Sequence, residues 1–123
     1  MNSLRTALLE RVVIADGAMG TMLQAQNPSL EDFQNHEGCN EILNITRPDI
    51  VKAVHEEYLK VGVDAIETNT FGANFANLAE YGIDDRIYEL AFAEATLARQ
   101  VADQYSTTAK PRWVLGSLGP GTK

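Results

Sequence analysis

Apolar residues recur at helical spacing in two short segments near the start of the chain. In residues 3–10 the leucines at positions 4, 8 and 9 share one side, and Ser3 is a suitable N-cap. Residues 18–26 carry apolar side chains at the same spacing and predict another short helix. The polar stretch that follows, up to residue 40, has no clear period.

Two longer amphipathic helices are predicted further along. The first has Thr46 as N-cap, Asp49 three residues on as in a capping box, Pro48 in its first turn and Gly62 just past its end. The second runs from about residue 84 to about residue 105. The apolar stripes of the two helices are Ile50, Val51, Val54, Tyr58 and Val61, and Ile87, Leu90, Ala91, Leu97, Ala98 and Val101.

Three short apolar runs predict β-strands, at residues 12–15, 64–71 and 112–117. Strands that alternate with helices pair in parallel through right-handed crossovers, so the fold class is α/β with a parallel sheet. Long loops, residues 16–46 and 71–84, follow the first two strands. The carboxyl ends of parallel strands are where such folds bind ligands, so we expect a functional site there.

Composition and charge exclude several classes of protein. The chain has 123 residues and a formal charge of −7, with ten scattered Lys and Arg residues, which argues against nucleic acid as a partner. One cysteine, Cys39, rules out an internal disulfide framework and fits a reducing compartment. No run of residues has the layout of a signal peptide or the length of a membrane span, so we expect a cytoplasmic protein without membrane contact.

The residues after the first strand are suited to a zwitterionic amino acid. Asp16 is a carboxylate directly after a buried strand, where it could receive an ammonium group. The amides of Gly17 and Ala18, entering the predicted helix, could bind a carboxylate. Spacing alone leaves an alternative open and even favours it, namely that Asp16 serves only as the N-cap of that helix.

Other polar residues have weaker claims to function. At the end of the second strand Thr68 points away from Glu67 and Asn69, and these three residues either line a site or simply end the strand. His55 lies on a helix, where an outer-face or interhelical hydrogen bond is a more common role than catalysis. His36 and Cys39 form an H-x-x-C pair, which supplies too few ligands for zinc. The glycine-rich segments match neither a P-loop nor a dinucleotide-binding motif.

Three segments together resemble a known family. They are DGAMGTMLQ at 16–24, GCNEILNITRPDIV at 38–51 and HEEYLKVGVDAIETNTFGAN at 55–74. This combination is similar to the homocysteine-binding module of the homocysteine methyltransferase family, over about residues 13–121. The N-E-I-L-N block favours its cobalamin-dependent branch, the methionine synthases, over enzymes that use betaine or S-methylmethionine.

The resemblance implies a fold and a reaction. The fold would be a (β/α)8 barrel, with residues 1–123 supplying the first three strands and the remaining barrel and later domains lying outside this chain. The reaction would transfer a methyl group from methylcobalamin, regenerated from methyltetrahydrofolate, to the zinc-bound thiolate of homocysteine. In this family the first-strand Asp and nearby amides hold the amino-acid end, which corresponds here to Asp16, Gly17 and Ala18, and Thr68 and Asn69 correspond to the pocket wall.

The chain departs from the family pattern in its metal ligands. The family's three zinc cysteines belong to later strands, and Cys39 corresponds to none of them. We therefore expect no catalytic residue, zinc or cobalamin on this chain alone, with both cofactors and the methyl-donor domains in a full-length parent. A non-catalytic α/β binding or assembly unit is the alternative.

Overall fold

The computed structural model describes residues 3–121 and forms an α/β fold with a small parallel sheet. Its elements in chain order are α1 Leu4–Glu10, α2 Gly20–Ala25, α3 Leu43–Thr46, α4 Pro48–Lys60, β1 Ala65–Glu67, α5 Phe75–Ala79, α6 Ile87–Tyr105 and β2 Trp113–Leu115. Short 3-10 turns lie at Glu31–Phe33, Asn40–Ile42 and Asp84–Arg86. No helix within residues 3–121 is both long and apolar enough to cross a membrane.

The sheet confirms the parallel topology but is shorter than predicted. β1 pairs with β2 in register from Ala65 with Trp113 to Glu67 with Leu115. The predicted strand at residues 12–15 contributes a single parallel bridge, between Ala15 and Ala65. The ladder ends on both sides of this bridge because side chains accept the next amides. The amide of Ile14 donates to the side chain of Asp64 at 2.9 Å, and the amide of Glu67 donates to the carboxylate of Asp16 at 3.1 Å.

The two long helices confirm their predicted positions, but the first needs a correction at each end. Val61, predicted in its apolar stripe, lies just beyond α4 and is exposed. Thr46 is the last residue of α3, and its hydroxyl donates to the Ile42 carbonyl at 3.3 Å, so it does not cap α4. Arg47 occupies the N-cap position without a side-chain capping bond. Gly62 follows the helix with φ of +101°, a conformation that favours glycine.

The short helices differ more from their predictions. Ser3 caps α1 as expected, but the predicted leucine stripe is wrong, since Leu8 and Leu9 are 59% and 85% exposed. α2 begins at Gly20, two residues later than predicted. α5 lies inside the predicted loop 71–84, and Asn74 caps it by accepting the Asn77 amide at 2.9 Å.

Most of the core lies between the helices rather than on the sheet. The larger cluster joins α2, α4 and α6 to the segment between α2 and α4. A smaller cluster packs the ends of α4 and α6 onto β1, through Leu59, Val63, Ile66, Ala98, Val101 and Ala102. The helices therefore hold β1 from one side, with its carboxyl end next to residues 15–19 and 115–117.

The free edges of this sheet predict association of the isolated chain. Val12 lies in the first segment, which pairs only with β1 within residues 3–121, and is 82% exposed, and β2 has no strand on its outer side within the same residues. We expect self-association or a broad thermal transition, measured by sedimentation velocity and circular dichroism. Val12→Lys should reduce association, whereas Val61→Lys, equally exposed at 81% but at the end of α4, should not. A monomer with a sharp two-state transition would contradict this expectation.

Candidate functional site

Asp16 is fixed at the carboxyl end of β1. Its amide donates to the Ala65 carbonyl at 3.0 Å, and its two carboxylate oxygens accept the Glu67 amide at 3.1 and 3.2 Å. α2 begins at Gly20, and its N-cap Met19 makes no side-chain capping bond. The alternative that Asp16 caps the following helix is therefore wrong, and its carboxylate faces the strand end.

The three predicted strand ends meet in one small pocket of about 140 Å³. It is lined by Asp16, Gly17, Met19, Glu67, Thr68, Asn69, Phe71 and Ser117. Four of the five residues predicted for the site are thus brought together. Ala18 is not part of the lining, and its carbonyl accepts the Tyr58 hydroxyl at 2.7 Å.

The pocket is electrostatically suited to a cation. Partial burial, with a smaller contribution from the nearby Glu67 carboxylate, raises the pKa of Asp16 to about 6 despite the lowering effect of the Glu67 amide. Glu67 and Asp16 both line the pocket, and no basic side chain among residues 3–121 does. An ammonium group placed there would stabilise the ionised form of Asp16 and gain a charge-assisted hydrogen bond.

The amides of Gly17 and Ala18 are available for a ligand. Neither donates to a backbone carbonyl within residues 3–121, and the Gly17 amide lies next to the Tyr58 hydroxyl. Both residues precede α2 instead of opening it, so the prediction that a helix N-terminus strengthens their binding is wrong. A carboxylate could still accept hydrogen bonds from these amides individually, next to the Asp16 carboxylate.

Thr68 and Asn69 form a hydrogen-bonded wall of the pocket. The Thr68 hydroxyl accepts the Ser117 amide at 3.0 Å and bonds the Thr70 hydroxyl at 2.6 Å, which ties the chain beyond β1 to the chain beyond β2. The Asn69 side chain instead donates to the Asn44 side chain at 2.8 Å. The two side chains therefore point in opposite directions, as the strand alternation predicts.

The structure adds residues that the sequence did not single out. Glu94 of α6 is completely buried and hydrogen-bonded to His55 of α4, so the interhelical role considered for His55 is the one it has. The Glu94 carboxylate also accepts the Asn69 amide at 3.2 Å. Its signal in the sequence is a glutamate in the apolar stripe of α6, four residues from both Leu90 and Ala98.

The described residues do not fit a zinc site. Within residues 3–121 no group of three His, Cys, Asp or Glu side chains is close enough to hold a metal ion. Cys39 is completely buried. Its burial, and to a smaller extent the nearby Glu41 carboxylate, raises the pKa of its thiol to about 11. A thiol in that environment resists the deprotonation that metal binding requires.

Replacing Cys39 is expected to leave zinc binding intact in a full-length protein that contains this segment. Cys39→Ser and Cys39→Ala should both keep the wild-type zinc stoichiometry, measured by atomic absorption on purified protein. The alanine variant controls for the hydroxyl that serine would bury. Loss of one zinc per chain in both variants would show that Cys39 is a ligand.

Comparison with known proteins identifies the family. The family model described as homocysteine S-methyltransferase matches residues 13–123, which is most of the chain. The chain belongs to the homocysteine S-methyltransferase family. The resemblance stated from its three sequence segments is thereby confirmed.

Two curated relatives of this family member are methionine synthases. The one from Mycobacterium tuberculosis is 53% identical over 116 residues, and the one from Mycobacterium leprae is 52% identical. Each alignment covers 94% of this chain but only 10% of the relative. The chain thus spans about a tenth of the length of these enzymes.

A solved structure of the family has the same arrangement. The homocysteine methyltransferase MmuM from Escherichia coli, in its metallated form, superposes with a TM-score of 0.75 at 26% sequence identity. The match covers 97% of this chain and 42% of MmuM. The oxidised form of the same protein gives the same TM-score.

Proposed function

We propose that this chain supplies the amino-acid end of the homocysteine pocket in a methionine synthase. The observation that carries the proposal is the Asp16 carboxylate, held by the Glu67 amide in a small pocket to which residues 3–121 contribute a second carboxylate and no basic group. Homocysteine has an ammonium group for Asp16 and a carboxylate for the amides of Gly17 and Ala18. Thr68 and Asn69 would form the wall beside it.

The proposed parent fold is a (β/α)8 barrel to which this chain contributes the first three strands. Two observations support this. The three strand segments lie side by side in chain order, through the bridge of Ala15 with Ala65 and the pairing of β1 with β2. In addition, nearly all of this chain aligns with the homocysteine methyltransferase MmuM, but the alignment covers less than half of MmuM.

In this proposal the chain binds and orients homocysteine and contributes no catalytic residue. Asp16 would keep the ammonium group in place, and the pocket wall would exclude water from it. Zinc, which activates the thiol, and cobalamin, which donates the methyl group, would be held by other parts of a full-length cytoplasmic enzyme, together with its folate domain. No nucleic acid or membrane is needed.

The methionine synthase type is favoured over a cobalamin-independent enzyme. Identity to the two methionine synthases is 52–53%, against 26% to MmuM, and the N-E-I-L-N block lies within the aligned region. A non-catalytic binding unit is the remaining alternative. A unit of that kind would have no need for a pocket in which an ionisable carboxylate lies next to backbone amides, so the pocket favours the enzyme.

A chimera tests the proposal. This chain would replace the aligned 116-residue segment of the Mycobacterium tuberculosis methionine synthase, and methionine formation from homocysteine would be assayed. We expect turnover close to that of the parent enzyme, and loss of it in the same chimera carrying Asp16→Ala. A folded, zinc-loaded chimera that binds no homocysteine would refute the proposed function.

The pH dependence of binding should carry the signature of Asp16. An ammonium partner favours the ionised carboxylate, and the pKa of Asp16 is about 6. The contribution of Asp16 to homocysteine binding is therefore present when the pH is well above this value and is lost as the pH falls through it. The ratio of homocysteine affinities between wild type and Asp16→Asn should therefore fall by about tenfold from about pH 7 to about pH 5. Any pH dependence of the thiol is common to both proteins and cancels. A ratio that stays constant would contradict the assignment.

A further inference from the structure

A completely buried pair of polar side chains lies behind the pocket. His55 of α4 and Glu94 of α6 both have zero exposure and share a hydrogen bond between Nε2 and Oε1. The second nitrogen of His55 and the second oxygen of Glu94 have no partner within residues 3–121. Apolar side chains of similar size would often serve stability as well, so the pair points to another role.

The same carboxylate reaches the backbone of the pocket wall. Glu94 Oε1 accepts the Asn69 amide at 3.2 Å. β1 ends at Glu67, and after Thr68 the chain leaves the β ladder. Glu94 therefore replaces the neighbouring strand as acceptor for Asn69.

Asn44 of α3 completes the attachment of this residue. Its side-chain amide donates to the Asn69 carbonyl at 2.9 Å and to the Leu90 carbonyl of α6 at 3.2 Å. Its side-chain oxygen accepts the Asn69 side chain at 2.8 Å. Both backbone polar atoms of Asn69 are thus held by helix side chains, and the geometry of the wall depends on them.

We propose that Glu94, oriented by His55, is a positioning residue that fixes the Asn69 backbone and thereby the pocket wall beside Asp16. The role of the wall in homocysteine binding rests on the proposed function. The position of Asn69 does not, because it follows from the hydrogen bonds alone. The proposal applies to a residue that would never touch the substrate.

Two variants separate positioning from stability. Glu94→Gln keeps an acceptor oxygen for the Asn69 amide in a side chain of the same size. The double change His55→Leu/Glu94→Met keeps the volume and burial but removes the acceptor. Exchange of the Asn69 amide would be measured by hydrogen–deuterium exchange mass spectrometry with fragmentation, on a full-length protein that contains the segment. Homocysteine affinity would be measured on a zinc-loaded full-length protein that contains the segment.

The double variant should fold, exchange its Asn69 amide about ten- to a hundred-fold faster, and bind homocysteine about tenfold more weakly. Glu94→Gln should retain both properties within about threefold, which a loss of packing would not explain. The proposal would be overturned if the double variant showed wild-type exchange and wild-type affinity. It would also be overturned if the double variant failed to fold, because the pair would then serve stability. If the wild-type full-length protein binds no homocysteine, the proposed function fails, and the Asn69 exchange rates still decide whether Glu94 positions the wall.

Discussion

Asp16→Asn is expected to weaken homocysteine binding by about ten- to a hundred-fold in a zinc-loaded full-length protein that contains this segment. The change keeps the size of the side chain and one acceptor oxygen for the Glu67 amide, and removes the charge. The ligand ammonium group would lose a charge-assisted hydrogen bond in a partly dehydrated pocket, at a cost of roughly 1.5–3 kcal/mol. At about 1.4 kcal/mol per decade this gives the stated range. Isothermal titration with homocysteine measures it.

The zinc content of this variant should not change, since the described residues do not form a metal site. Asp103→Asn is the matched control, because Asp103 is an exposed carboxylate near the end of α6 and does not line the pocket. It should bind homocysteine as the wild type does. An affinity change of less than about threefold for Asp16→Asn, well under one decade, would remove Asp16 from the binding site.

Glu94→Ala is expected to lower the free energy of unfolding of the chain by about 3–5 kcal/mol. The change leaves His55 buried without its partner, takes the acceptor from the Asn69 amide and opens a cavity between α4 and α6. Urea unfolding followed by the circular dichroism of the helices measures the loss. If the wild-type chain is only marginally stable, the variant should show no folded baseline.

Glu89→Ala is the matched control for this loss. Glu89 lies on the same helix, is half-exposed and pairs with Arg86 on the surface at 2.6 Å. Removing a surface pair of this kind costs at most about 1 kcal/mol. Equal losses in the two variants would mean that the buried pair contributes nothing beyond helix propensity.

The long helices were predictable because their signal is repeated over several turns. Val51, Val54 and Leu90 are buried at the spacing that the sequence shows. The start of α4 was not predictable. The Thr46 hydroxyl donates to a carbonyl of the preceding helix instead of capping α4, and that helix, α3, is too short to show a periodic pattern in the sequence. The predicted length of the first strand was wrong for a similar reason, since the Asp64 side chain accepts the hydrogen bond from the Ile14 amide.

The position of the pocket was predictable, but the hydrogen bonds that hold its wall in place were not. Asp16 and Thr68 follow predicted strands, and parallel pairing alone places their strand ends together. The hydrogen bond that the Asn69 amide donates to the Glu94 carboxylate joins residues 25 positions apart in the sequence. Only the packing of α6 against β1 creates it. A glutamate within an apolar stripe signals burial, but it does not say which donor it meets.

The most direct test of the proposed pocket pairs Asp16→Asn with a ligand that lacks the ammonium group. Homocysteine and 4-mercaptobutanoate, which differ only in that group, would each be titrated into the wild type and the variant of the zinc-loaded full-length protein. The predicted result is a loss of about ten- to a hundred-fold for homocysteine and less than about threefold for 4-mercaptobutanoate. Equal losses for both ligands would contradict an Asp16–ammonium contact, and so would no loss for either.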